Sequence, residues 1–172
     1  MTSDTGADTR IIGSLRRLDD GKGAVTMEDL YDTGIDDLWS AVTDPDRLAR
    51  WLATVDGELR VGGSINAKFT SGYTGPGRID LCEAPRKLQV TFEPGTPDEA
   101  VMEANLTAVG GRTRLTIEER GLPLEETPDH GAGWQAHVED LAAHLAGREP
   151  GVWRERWIQL TPAYRELGKG LT

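Results

Sequence analysis

An α+β architecture is what this sequence predicts: a curved antiparallel sheet wrapped around a long C-terminal helix, with two short helices after the first strand. Three observations predict it. From Gly57 onward, apolar and polar residues alternate in short runs separated by tight Gly or Pro joints. Between Ile35 and Leu52 the apolar spacing is helical instead. Beyond Trp134 one apolar stripe recurs at helical spacing, and a helix with one stripe needs a sheet to cover it.

Residues 1–10 are polar and expected to be disordered. "IIGSLRRL" and "AVTMEDLY" flank the Gly-bearing "DDGKG" and predict a hairpin or a bent first strand. Ile35, Leu38, Trp39 and Val42 then share one helical face. "DPDRLARW" predicts a second helical turn: Asp44 is an N-cap whose carboxylate accepts orphan amide hydrogens, and Pro45 suits the first helical position. Its apolar face is Leu48, Trp51 and Leu52, which makes the stretch a folding device rather than a catalytic one.

"GELRVGGSINAKF" reads as two short strands around Gly62 and Gly63, and "GYTGPG" as a hairpin joint. "GRIDLCE" and "KLQVTFE" follow across "APR", then "EAVMEANLTAV" and "RTRLTIEER" across "GG", an antiparallel meander. The loop "GLPLEETPDHGAG" leads to a helix beginning near Trp134, with Val138, Leu141 and Leu145 on its stripe and Gly147 as its stop. Residues 11–147 are thus one domain. The extension 148–172, with Trp153, Trp157, Leu160 and Tyr164 at helical spacing interrupted by Pro162, is expected to pack back on it. A contact with a second subunit, as in a homodimer, is the less favoured use.

Composition narrows the function. The 172 residues carry a formal net charge of −10, which disfavours nucleic acid and anionic membranes, since both bind through Lys and Arg. No run approaches the ~20 apolar residues of a membrane span. Cys82 is the single cysteine, which excludes an intrachain disulfide and, beside Asp80 and Glu83, reads as structural rather than reactive. The N-terminus has no secretory pattern, so a cytoplasmic protein is expected. The chain shows no zinc-type Cys/His cluster, phosphate loop, nucleophile elbow or dinucleotide fingerprint, so neither metal nor cofactor is expected.

Ala100, Met102, Ala104, Leu106 and Ala108 share one side of a strand. Small side chains facing a straight helix leave internal volume, or else they permit close packing; both readings stand. The ordered set "VTMEDLYDTGIDDLWSAVTDPDRLARWL", "GELRVGGSI", "GRIDLCEAPRKLQVTFE", "RTRLTIEERGL" and "GWQAHVEDLAAHLAG" adds to the first. It resembles the activator of Hsp 90 ATPase homologue-like group of the START/polyketide-cyclase (SRPBCC) superfamily. The resemblance runs from Val25 to Gly147, most firmly at Glu28, Trp39, Asp44–Pro45, Trp51, Gly62–Gly63, Pro85, Gly121 and Gly133–Trp134. It implies a helix-grip fold with an apolar cavity between long helix and sheet. Members carry lipids or other hydrophobic molecules there, and some cyclise or dehydrate polyketides.

The expected function is therefore binding of a hydrophobic small molecule or lipid, with walls from Trp134, His137, Val138 and Leu141 on the helix and Phe69, Tyr73, Phe92 and Met102 on sheet and loops. Cyclase- or hydrolase-like acid–base work would fall to His137, Tyr73 or an inward carboxylate. His130, His137 and His144 are spaced too widely along a helix for His137 and His144 to hold one ion, and each is more simply a boundary histidine. Alternation makes Glu28 or Asp29 face inward, favouring a buried ion pair with Arg114 or Arg120 over a catalytic acid. The acid pairs Asp36–Asp37, Glu118–Glu119, Glu125–Glu126 and Glu139–Asp140 read as solvated. The alternative function is a protein-interaction module, a co-chaperone or regulatory partner that uses the acidic surface and the tryptophan-bearing tail.

Overall fold

The computed structural model describes residues 10–171. The segment expected to be disordered, residues 1–10, lies outside them except for Arg10. Strands β1 (Gly13–Arg17) and β2 (Gly23–Tyr31) form the predicted hairpin. Helices α1 (Ile35–Thr43) and α2 (Pro45–Trp51) follow, and Asp44 caps α2 by accepting from the amide of Asp46 at 3.0 Å. Six strands come next: β3 (Ala53–Gly57), β4 (Ser64–Phe69), β5 (Thr74–Glu83), β6 (Lys87–Phe92), β7 (Ala100–Val109) and β8 (Arg112–Leu122). The chain ends in α3 (Thr127–Leu145) and α4 (Trp153–Gly168). All eight strands make one antiparallel, curved sheet in the order β1-β2-β8-β7-β6-β5-β4-β3, the helix-grip arrangement.

The core lies between the sheet and α3. Val25, Met27, Leu106, Leu115 and Ile117 project from one sheet face toward Trp134, Val138 and Leu141 of α3. Trp51 closes one end, with its indole N–H donating to the carbonyl of Ala41 at 2.9 Å. Trp51 and Leu141 are almost wholly buried, each contributing at least ~1.5–3 kcal/mol of transfer free energy.

Four local expectations change. The strand expected before Gly62 is a turn: Leu59 and Val61 are each 52% exposed, and the pairing strand is β3, which starts at Ala53. Gly57 and Gly62 have φ of +116° and +82°, which break the extended run on both sides. "GYTGPG" is a joint only at its start, since Gly75, Pro76 and Gly77 pair with β4. The long helix begins at Thr127, not near Trp134. Finally, α4 runs through Pro162 instead of being interrupted there.

The last two departures share a cause. Glycines 131 and 133 lower helix propensity by about 1 kcal/mol each, which is why the sequence looks like a loop. In the fold they are where α4 rests on α3. A Cβ on Gly131 would lie 2.6 Å from a ring carbon of Tyr164, and one on Gly133 would lie 3.1 Å from the Trp153 ring. Leu160 and Tyr164, both fully buried, flank Pro162 and hold α4 through a position that costs an isolated helix ~3 kcal/mol. The expected docking of the tail is thus a close one. Its polar centre is Gln135, which accepts from the Tyr164 hydroxyl (2.6 Å) and the Ile12 amide (3.2 Å) and donates to the Arg10 carbonyl (2.7 Å).

Candidate functional site

Between α3, α4 and the open end of the sheet lies a cavity of about 450 Å³. Phe69, Tyr73, Phe92, Trp134, Trp153 and Trp157 give it aromatic walls, and His130 and His137 look into it. A second cavity of about 190 Å³ lies toward α2, walled by residues that include Leu48, Leu52, Ile65, Val90 and Met102. Phe69 and Phe92 line both. Their rings meet edge to face at 5.5 Å and form a partition between the chambers.

The expected walls therefore divide. Phe69, Tyr73, Phe92, Trp134 and His137 line the larger cavity, and Met102 lines the smaller. Val138 and Leu141 line neither; both are fully packed in the core, so those two expectations are corrected. Val138 and Leu141 face the packed sheet, whereas the cavity lies at the N-terminal end of the stripe, at Trp134. Trp153 and Trp157 are cavity walls that the sequence did not assign. Their indole N–H groups donate to the carbonyls of Gly133 (3.1 Å) and Asp129 (3.0 Å), and the two rings stack at 5.8 Å. Helical spacing showed that they share a face, but nothing local shows where that face docks.

The three histidines have three environments. His137 is only 5% exposed, set among the rings of Phe69, Trp134 and Trp153, with Nδ1 3.4 Å from the Thr70 hydroxyl. Burial pushes its pKa down to about 3. It is a neutral ring near pH 7. His130 lies in the first turns of α3, not in a loop. Its Nδ1 is 2.7 Å from a Glu119 oxygen. Burial opposes its charging, but the bond to Glu119 and the charges of Glu119, Glu126 and Asp129 outweigh that and raise its pKa. His144 points away from the cavity and accepts from Arg47 Nε at 3.1 Å.

The carboxylates are also redistributed. Glu28 faces outward and pairs with Arg114 at 3.2 Å with both side chains about half exposed, and Arg120 pairs with Glu103 and Glu118. The expected buried pair is not formed. Asp29 shares the inward parity of Met27 and Tyr31, and its carboxylate accepts from the Leu30 amide at 2.8 Å.

In two of the acid pairs expected to be mostly solvated, one member is turned inward. Asp140 is buried and its pKa rises to about 6, chiefly through desolvation. Glu119 is an inward carboxylate in the cavity wall. Alternation in β8 places Thr113, Leu115, Ile117 and Glu119 on one face, so this position was legible in the sequence.

Glu93 is the one described non-glycine residue with positive φ, at 50°, and its carboxylate accepts from the Tyr73 hydroxyl at 2.6 Å. A Cβ on Gly75 would collide with both partners, so glycine makes this contact possible. Burial, then the Glu93 bond and the charges of Glu93, Glu119 and Asp98, raise the Tyr73 pKa, so its hydroxyl stays a donor. Cys82 is exposed and unpaired. Among the described residues no group of three or more His, Cys, Asp or Glu side chains is placed to hold a metal. No described helix is long and apolar enough to cross a membrane.

Solved structures share this architecture. CalU16 from Micromonospora echinospora superposes with a TM-score of 0.74 at 24% identity, covering 91% of this chain and 96% of its own. DynU16, from the dynemicin biosynthetic locus, gives 0.67 at 28% identity over 74% of this chain and 48% of its own. PFC0360w, an HSP90 activator from Plasmodium falciparum, gives 0.58 at 20% identity over 72% of this chain and 96% of its own. No curated protein matches the chain. The profile of the Activator of Hsp90 ATPase homolog 1-like protein family matches residues 32–146, from the start of α1 to the end of α3, and the chain belongs to that family.

Proposed function

We propose that this protein binds a hydrophobic small molecule in the larger cavity. The observation that carries the reading is the set of six aromatic side chains around about 450 Å³ of space, a volume in the usual range for small-molecule sites. Two of the six come from α4, so the tail completes the container. Binding, rather than turnover, is the activity proposed. Of the acid–base groups expected from the sequence, His137, Tyr73 or an inward carboxylate, His137 is held neutral by burial. The helix-grip fold shared with CalU16 and DynU16 is compatible with this reading.

The rival reading is a protein-interaction module, for which the family's name and the HSP90 activator PFC0360w speak. Its contacts were expected from the acidic surface and the tryptophan-bearing tail, and the two indoles of that tail are instead turned to the cavity and tied to α3. Native mass spectrometry of the protein purified from its source, followed by extraction, tests the proposal. A retained apolar compound, lost in a Trp153→Ala/Trp157→Ala variant, is the expected result. A clean apo mass together with failure to take up any lipophilic dye overturns it.

A further inference from the structure

The same cavity carries a second kind of information, its charge, which bears on the class of guest; this inference rests on the binding reading above. Glu93, Asp98, Glu119, Glu126 and Asp129 all line it. No lysine or arginine does. Two of the five are compensated, Asp129 by Arg165 at 3.0 Å and Glu119 by His130. Among the described residues no Lys or Arg bridges Glu93, Asp98 or Glu126. The walls are thus aromatic and, His130 apart, the charged groups on them are carboxylates. Aromatic faces attract cations through the ring quadrupole, and the carboxylates at the cavity mouth, Glu93 half-buried and Asp98 and Glu126 exposed, add a Coulombic attraction. A fatty acid or other anion would meet the opposite: aromatic faces and a surplus of carboxylates, with the lone histidine cation, His130, already held by Glu119.

We propose that the cavity takes a hydrophobic guest bearing a positively charged amine, with its apolar body among the tryptophans and its cation beside the carboxylates. Glu93 holds its carboxylate at the cavity from a backbone conformation that side chains rarely adopt, with Gly75 clearing the space beside it. The Tyr73 hydroxyl fixes that carboxylate in place, leaving its second oxygen for a donor from the guest. Trp153 and Trp157 spend their N–H groups on α3 and so present only ring surface.

The test uses three probes that share a dansyl group and a five-carbon tether and differ only at the end: an ammonium, a methyl group and a carboxylate. Binding is followed by dansyl anisotropy with the full chain. The expected order is ammonium, then methyl, then carboxylate, with the first step about tenfold, equivalent to about 1.4 kcal/mol. A Glu93→Gln/Glu126→Gln variant, altered only at the cavity edge, should bring the ammonium probe to within about twofold of the methyl probe. Added salt should act in the same direction, because the carboxylates are partly solvated. If the methyl and carboxylate probes bind as tightly as the ammonium probe, the cation assignment is overturned while the cavity still binds apolar molecules. If none of the three binds, the binding reading itself falls, and this inference with it.

Discussion

Replacing His137 with phenylalanine should remove part of the acid sensitivity of the fold. Burial among Phe69, Trp134 and Trp153 lowers the imidazole pKa from 6.5 to about 3. In the unfolded chain the ring titrates near ~6.5. Below that pH the unfolded state takes up a proton that the native state refuses, so stability falls as pH drops from 6.5 toward about 3. Above pH 6.5 both states are neutral and the residue adds no slope. One proton is worth about 1.4 kcal/mol per pH unit, so the step from pH 7 to pH 5 costs about 2 kcal/mol through this ring alone. Phenylalanine fills the same aromatic slot and does not titrate. Urea unfolding of both proteins at pH 7, 6 and 5 measures the effect. The loss between pH 7 and pH 5 should be about 2 kcal/mol smaller in the variant. His130 and Asp140 titrate in both proteins and cancel from this difference. An identical pH dependence for the two would refute a buried, neutral His137.

Three further outcomes follow from the packing. Gly131→Ala should lower the melting temperature despite a helix-propensity gain of about 1 kcal/mol, because the added methyl lies 2.6 Å from the buried Tyr164 ring; a rise would contradict the close approach of α3 and α4. Tyr164→Phe should cost about 1–3 kcal/mol by chemical denaturation and speed hydrogen exchange at Gly13, whose amide donates to the lost hydroxyl at 3.1 Å. Phe69→Ala should open the partition between the two chambers at a cost of roughly 3 kcal/mol. In a series of ammonium probes with lengthening tethers, it should then favour the longer ones, and an unchanged length preference would mean the chambers do not communicate.

Most of the fold was legible because periodicity reports which face of an element is buried. The β1–β2 hairpin, the Asp44 cap, the meander and the α3 stripe are all written in spacing that a reader can count. The errors fall where one segment's conformation depends on another far along the chain. Gly131 and Gly133 look like a loop until Tyr164 and Trp153 are set against them. Pro162 looks like a break until Leu160 and Tyr164 are buried on either side. The site was half legible for the same reason. Its sheet-side aromatics and Trp134 were found, but the α4 tryptophans were not placed, and the rest of the α3 stripe, Val138 and Leu141, was taken for cavity wall when it is core. Glu119 was readable by parity and was passed over because it sits beside Glu118 in an acidic run.

The bond from Gly13 to Tyr164 joins positions 151 apart, and the cavity's last two walls lie on α4. During synthesis every strand reaches solvent before those walls do. Until α4 emerges, the nascent chain shows an oily trough with nothing to roof it, the kind of surface that chaperones hold and proteases clear. A frameshift or early stop just before Trp153 would leave all the strands intact and still be removed by the cell, so genetic lesions late in the coding sequence should be as damaging as those in the sheet.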